Sequence, residues 1–313
     1  MAVFLSTLNQ MAYLFTLIIA GYILVKFEVL SSDAAGILSK LENNLFIPCL
    51  VMTTFASNFT TDKLDVAGNF FLIGCIVILA SIPLAIIFSK LFTKDLYIRK
   101  IYTYGLAFSN FGFMGNAVVK AMFPEIFMEY LVFVMPFWIL IYVWAVPSLL
   151  VPSDKEVRSV KDRLKALINP MFIALFIGMI IGLCPFKLPQ FLNDSITVMG
   201  DCMSPVAMLL TGMTIAKIDL VKTFKNISVY IVSLTRLIFI PLLAIVFMWF
   251  VPMSQEMAIC IVCSLAMPLG LNTIVIPSAY GCDTSVASGM ALISHILSCI
   301  TIPVIFLILE YVI

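Results

Sequence analysis

Ten apolar runs fill this chain almost end to end. They cover roughly 5–25, 36–57, 66–89, 99–123, 127–151, 167–184, 190–215, 225–251, 256–280 and 284–312. Each approaches the about 20 residues that a helix needs to cross the hydrocarbon of a bilayer. A chain that crosses lipid must satisfy its backbone groups internally, and within one run only a helix does so. Hydrophobic residues make up 63% and charged residues 11% of the 313 positions, with mean hydropathy +1.15. A soluble domain of this length has no way to hide so much apolar surface. The expected class is an all-α membrane protein of ten transmembrane helices. No stretch within these residues fits a soluble domain, and the longest polar stretch, Pro152 to Lys165, joins the two halves. The first run has no basic start, since the first charge is Lys26, and no clear small-residue cleavage site. It reads as a span rather than a signal peptide.

The charges orient the spans. With both termini outside, the inner loops hold Lys26, Lys40, Lys90, Lys94, Arg99, Lys100, Lys155, Arg158, Lys161, Arg163, Lys165, Lys217, Lys222 and Lys225, which is 14 of the 18 basic residues. The outer side holds Lys63, Lys120 and Lys187. The expected location is the cytoplasmic membrane, with the bilayer lipids as partners. Topology accounts for the basic loops, a net charge of +1 gives no electrostatic footprint, and nucleic-acid binding has no support.

The chain also repeats itself. Gly21 matches Gly178, Pro48 matches Pro205, Pro83 matches Pro241, Asn116 matches Asn272 and Pro147 matches Pro303, all at offsets of 156 to 158. Two copies use up the chain: 1–151 as a first five-helix repeat, 152–166 as a cytoplasmic linker and 167–313 as a second repeat. Two copies of an odd number of spans must face opposite ways, so the repeats are inverted. Internal repeats of this kind point to a secondary transporter with its site where the repeats meet.

Two equivalent spans carry helix breakers at mid-depth. The fourth places Ser109, Asn110, Gly112, Gly115 and Asn116 in one segment, and the ninth places Pro268, Gly270, Asn272 and Thr273 together. Glycine is a poor helix former, Asn and Ser compete for backbone hydrogen bonds, and proline removes a donor. Freed backbone groups cannot face lipid, so they must line a cavity or bond a neighbour. Two readings follow: ordinary kinks packed in protein, or discontinuous helices crossing at a binding site. The symmetry of the two spans favours the second. The half-helix N-termini would then present positive dipole ends to an anion.

These residues carry a family resemblance. Ser109–Gly115 followed by Val119–Phe123 resembles the fourth helix of the auxin efflux carrier family, which includes plant PIN carriers and many bacterial organic-acid carriers. Asn44–Pro48 is similar to its second helix, and Met267–Asn272, Tyr280–Asp283 and Ile302–Pro303 to its ninth and tenth. The resemblance covers essentially the whole chain. It implies ten helices in two inverted five-helix repeats, outside termini, broken crossing helices four and nine, and a fold shared with bile acid sodium symporters. It further implies a scaffold of helices one, two, six and seven, a transport domain that moves elevator-like, and a homodimer. Many members have proline at both crossover points, whereas this chain has Ala117 and Thr273, each preceded by asparagine. The crossover is therefore expected to rely on the paired amides of Asn116 and Asn272, each able to donate and accept.

Ionisable groups inside a bilayer are functional candidates by default. Asp201 lies four residues before Pro205, as Asn44 lies four before Pro48. The pair would complete the site from the scaffold, with burial raising the Asp201 pKa toward that of a proton carrier. The alternative for Asp201 is a capped or salt-bridged carboxylate near the outer mouth. His295, the one histidine, is either a proton relay or a neutral packing residue. Arg236 either attracts an anion or snorkels to the inner surface. Lys120 is expected to pair with Glu125 or Glu129.

The sequence thus predicts a secondary carrier of small organic anions such as carboxylates, working by alternating access. Ser109, Asn110, Gly115, Asn116, Pro268, Asn272, Thr273 and Asn44 are its substrate-site candidates. Asp201 and His295 are candidates for coupling to H+ or Na+, and Arg236 for anion attraction. No cofactor or metal site is expected: Cys260 and Cys263 form a CxxC inside an apolar span with no partner pair, which reads as packing. Nor is an enzyme, since no nucleophile–base pair stands out. A ligand sensor and a channel are the rivals, and the lack of an added domain within these residues favours the carrier.

Overall fold

The computed structural model describes all residues except Met1, Ser32, 153–158, 185–187, 217–223, Lys225 and Ile313, with backbone only for Ala2 and Val3. Residues 153–158 of the 152–166 linker and several of the basic residues counted above (Lys155, Arg158, Lys187, Lys217, Lys222 and Lys225) therefore lie outside the described residues. The described residues are helical and contain no β-strand. By length and composition six helical stretches are able to cross a membrane: Phe4–Lys26, Thr61–Phe92, Pro124–Leu150, Gln190–Ile215, Ile227–Met248 and Ser285–Val312. Pro170–Leu183 and Gln255–Ala266 are apolar but shorter. The runs expected at 36–57, 99–123 and 256–280 come as shorter consecutive helices.

The apolar residues sort by solvent. Along Leu64–Phe92, Leu72, Ile76, Leu79 and Ile87 are exposed, while Phe70, Gly74, Ile78, Ser81 and Ala85 are buried on the opposite face. Leu79 is 60% exposed. Such a stripe would be an unmet hydrophobic patch in water and is at home against lipid. Proline shapes several helices. π-helical turns at Glu42–Phe46 and Thr235–Phe239 end two residues before Pro48 and Pro241, and the π-helix Ile141–Leu150 contains Pro147. Proline has no amide hydrogen and its ring collides with the carbonyl four residues back; a wider turn relieves both.

The helix contacts fall into two main sets, joined where Ala2–Lys26 packs along Ser285–Val312. In one, Ala2–Lys26 runs along Met203–Ile215, and Ile47–Asn58 along Pro170–Leu183. These pairs approach through glycine. A Cβ on Gly21 would strike the Leu209 carbonyl, and one on Gly178 would lie 2.7 Å from the Met52 carbonyl. Gly178 follows Gly21 by 157 positions, and Leu209 follows Met52 by the same 157. In the other group, Leu64–Phe92 packs on Leu96–Ala107 and Phe127–Leu140, while Ile227–Leu234 and Gln255–Ala266 pack on Ser285–Val312.

Candidate functional site

Two of the helices stop in mid-course and meet where they stop. The first segment runs Leu96–Ala107, breaks, and resumes as the π-turn Phe111–Gly115 and the short helix Asn116–Met122. The second runs Gln255–Ala266, breaks, and resumes as Asn272–Ala279. The local causes are in the sequence. Pro268 disfavours helical geometry at the residue before it, and Met267 is extended, with φ −69 and ψ 151. In the first segment Phe108 is extended with φ −118 and ψ 108, and Ser109 and Asn110 follow it.

The two breaks cross as a miniature antiparallel pair. Ser109 bridges to Leu269, and the Asn110 amide N–H donates to the Pro268 carbonyl at 2.7 Å. Side chains complete the crossing. Ser109 Oγ donates to the Ser264 carbonyl at 2.6 Å, and the Leu269 N–H donates to Ser294 Oγ at 3.1 Å. Thr273 Oγ1 donates to the Gly270 carbonyl at 2.8 Å. A Cβ on Gly270 would sit 3.4 Å from the Ser109 carbonyl, an ordinary van der Waals contact.

A cavity of about 180 Å³ opens beside this crossing. Its polar wall includes Asn43, Tyr104, Ser109, Asn110 and Asn272, and its apolar wall includes Phe111, Phe113, Trp138 and Tyr142. Both resumed helical stretches begin at the cavity. The start of a helical stretch carries the positive end of its dipole; the Thr273 and Ile274 amides themselves donate to the Gly270 and Leu271 carbonyls at 3.3 and 2.9 Å. Asn272 Nδ2 donates to the Tyr104 hydroxyl at 2.9 Å. Asn110 Nδ2 faces His295 Nε2 at 3.2 Å, and His295 Nδ1 lies 2.7 Å from the Ala291 carbonyl. With the amide so oriented, Nε2 accepts and Nδ1–H donates, the pattern of a neutral imidazole. His295 is fully buried behind Asn110 and orients that amide from the last helix.

Of the sequence candidates, Ser109, Asn110 and Asn272 line the cavity. Pro268 and Thr273 serve the crossing itself. Gly115 packs under the Tyr130 hydroxyl, where a Cβ has no room. Asn116 is fully buried away from the cavity, and neither of its amide atoms has a partner. Asn44 is exposed and donates to the Lys40 carbonyl at 2.8 Å, whereas its neighbour Asn43 reaches the cavity. One residue of helix turns a side chain by roughly 100°, which separates the two.

The charged candidates need correction. Asp201 is not buried: its side chain is 59% exposed and bonds Lys120 Nζ at 2.6 Å. Lys120 therefore pairs with Asp201 rather than with Glu125 or Glu129, and Glu129 pairs with Lys63 at 3.1 Å. Arg236 neither snorkels nor lines the cavity; it is fully buried. Its guanidinium is committed to backbone carbonyls of the two broken segments. Tyr104, Trp138 and Tyr142 were not among the sequence candidates, since aromatic residues in an apolar run give no sign of which face meets a cavity.

A family model described as membrane transport protein matches residues 6–306. The chain belongs to that family. It is the auxin efflux carrier family of the sequence resemblance, and the match takes in both broken segments and the cavity between them. The protein is therefore a membrane transporter and an integral membrane protein, and its family is one of transporters rather than enzymes. No curated protein matches the chain.

Proposed function

We propose that this transporter is a secondary carrier of small organic anions, carboxylates among them, that works by alternating access across the cytoplasmic membrane. The observation that carries the reading is the cavity at the helix crossing. Each broken segment supplies an amide to it, Asn110 and Asn272, together with the start of a helical stretch. Dipole ends and carboxamides suit a carboxylate. The aromatic wall suits an apolar remainder, and the volume sets a small size.

The frame of the reading is ten spans in two inverted five-helix repeats, 1–151 and 167–313, with 152–166 as a cytoplasmic linker and both termini outside. The matched glycine contacts, Gly21 on Leu209 and Gly178 on Met52, support it, because an inverted repeat predicts that symmetric helix pairs touch at symmetric places. Those helices form the scaffold, and the group around the crossing is the transport domain that moves elevator-like. In another state of that cycle Asn116, with its unpartnered amide, joins Asn272 at the substrate; burial without partners costs about 1–3 kcal/mol. Pro268, Thr273 and Gly115 shape the site, and Asn44 faces it from the scaffold in that other state. Coupling is to H+ or Na+ through Asp201 and His295, and the carrier is a homodimer.

The test is a thermal-shift screen of purified protein with malonate, malate and an indole acid, with and without sodium, followed by counterflow of labelled hits in proteoliposomes. A carrier exchanges label. Binding without exchange supports a sensor, and flux without counterflow a channel. If no acid shifts the transition or exchanges, the organic-anion reading fails.

A further inference from the structure

Arg236 is the bulkiest side chain with no exposed surface. It leaves the π-turn Thr235–Phe239 and ends among backbone carbonyls. Nη1 donates to Leu106 at 2.8 Å, Nη2 to Ser264 at 3.0 Å and Nε to Met267 at 3.4 Å. No ion pair joins it to an acidic side chain among the described residues.

The identity of those carbonyls matters. Leu106 is in the last turn of Leu96–Ala107, Ser264 is in the last turn of Gln255–Ala266, and Met267 directly follows that helix. The last carbonyls of a helix have no partner within it, and its C-terminus carries roughly half a negative charge. Two such ends converging give about one unit of negative charge, and the guanidinium supplies one positive unit. The crossover is thus polarised. Its helix starts face the cavity, and its helix ends face Arg236.

We propose that Arg236 is a tethered counter-cation for the crossover, and that the Leu106, Ser264 and Met267 carbonyls form a site for a small monovalent cation once the guanidinium is removed. Helix C-termini and unwound carbonyls are the groups with which broken membrane helices hold cations. Here the chain provides the cation itself. A corollary rests on the carrier reading: transport needs no metal ion at this point.

The experiment compares thermal unfolding of the wild type, Arg236→Lys and Arg236→Met in detergent. Each is measured in sodium, potassium or choline chloride at equal ionic strength, and with dilute guanidinium as a mimic of the lost group. The wild type sets the baseline in each salt, and each variant is read as its difference from that baseline. Arg236→Met melts lower in choline and recovers, saturably and by at least about 2 °C, with sodium, potassium or guanidinium. Arg236→Lys melts above Arg236→Met in choline. Equal melting of Arg236→Met in all salts, or of Lys and Met variants in choline, overturns the proposal. If Arg236→Met does not fold in choline, folding in one of the small-cation salts supports it and failure in every salt overturns it. No transported substrate enters the measurement, so its failure leaves the carrier reading untouched, and a failed uptake assay leaves this one.

Discussion

Asn272 is the cavity residue whose removal is cleanest to interpret. Its amide faces the cavity and donates to Tyr104, so Asn272→Ala deletes a proposed ligand group and orphans a buried hydroxyl. Affinity for an acid identified in the thermal-shift screen should fall roughly tenfold, which is about 1.4 kcal/mol. An unchanged dissociation constant would remove Asn272 from the site. The cavity-wall positions of Asn110 and Asn272 were legible in the sequence, because each amide lies at mid-membrane beside a helix breaker. Asn116 was placed in the cavity by symmetry with Asn272. Here the two halves differ. Asn272 directly follows its break, whereas the π-turn Phe111–Gly115 stands between the first break and Asn116. That extra turn carries Asn116 off the cavity wall, and no residue count in the sequence announces it.

Among the helices, the glycine contacts make the sharpest prediction. Gly21→Val and Gly178→Val insert carbon where a backbone carbonyl already sits, so each should cost about 1–3 kcal/mol and lower the melting temperature. Gly36 and Gly68 have nothing within 4 Å of a Cβ. Gly36→Ala and Gly68→Ala should leave melting unchanged or raise it slightly, since alanine is the better helix former. Four equal results would show that the helices do not meet through glycine. A second prediction concerns entry into the last helix. The Asp283 carboxylate accepts from the Ser285 N–H at 2.9 Å and its hydroxyl at 3.0 Å. Those bonds hold its pKa below the usual carboxylate range. A lowered folded pKa stabilises above the unfolded value of about 3.9 and is lost as pH falls through the folded one. Asp283→Ala should therefore lower the melting temperature slightly at neutral pH, and the gap from wild type should close as the buffer is taken below about pH 4. The positions of the breaks were readable from Pro268 and the Ser-Asn-Gly cluster. The pairing of Lys120 with Asp201 was not, since they lie 81 residues apart and only packing brings them together.

At the scale of the whole molecule, the Lys120–Asp201 contact joins the first broken segment to the helix Gln190–Asp201. If the carrier moves one group of helices against the other, this contact spans the moving boundary. A cysteine pair at 120 and 201, in a background without the eight native cysteines, should be joined by a short thiol cross-linker. Joining them should abolish exchange of the labelled acid, and reduction should restore it. Full exchange in the cross-linked protein would exclude relative motion there. As a bare ion pair the contact is worth under about 1 kcal/mol, so neutralising Asp201 with Asn should hardly move the melting temperature.

Class and breaks follow from the chain itself. Hydrophobic runs of bilayer length have only helical solutions in lipid, and proline, glycine and asparagine interrupt helices through local sterics and local hydrogen bonds. Both effects act within one or two turns, so a reader of residues finds them. Which amides reach a cavity, which carboxylate meets Lys120 and what Arg236 does are set by helices distant in sequence and adjacent in space. Arg236 is the clearest case. Read along the chain it is an isolated charge in an apolar run, open to an anion or to the surface. Only the convergence of Leu106, Ser264 and Met267 makes it the cation that two helix ends require.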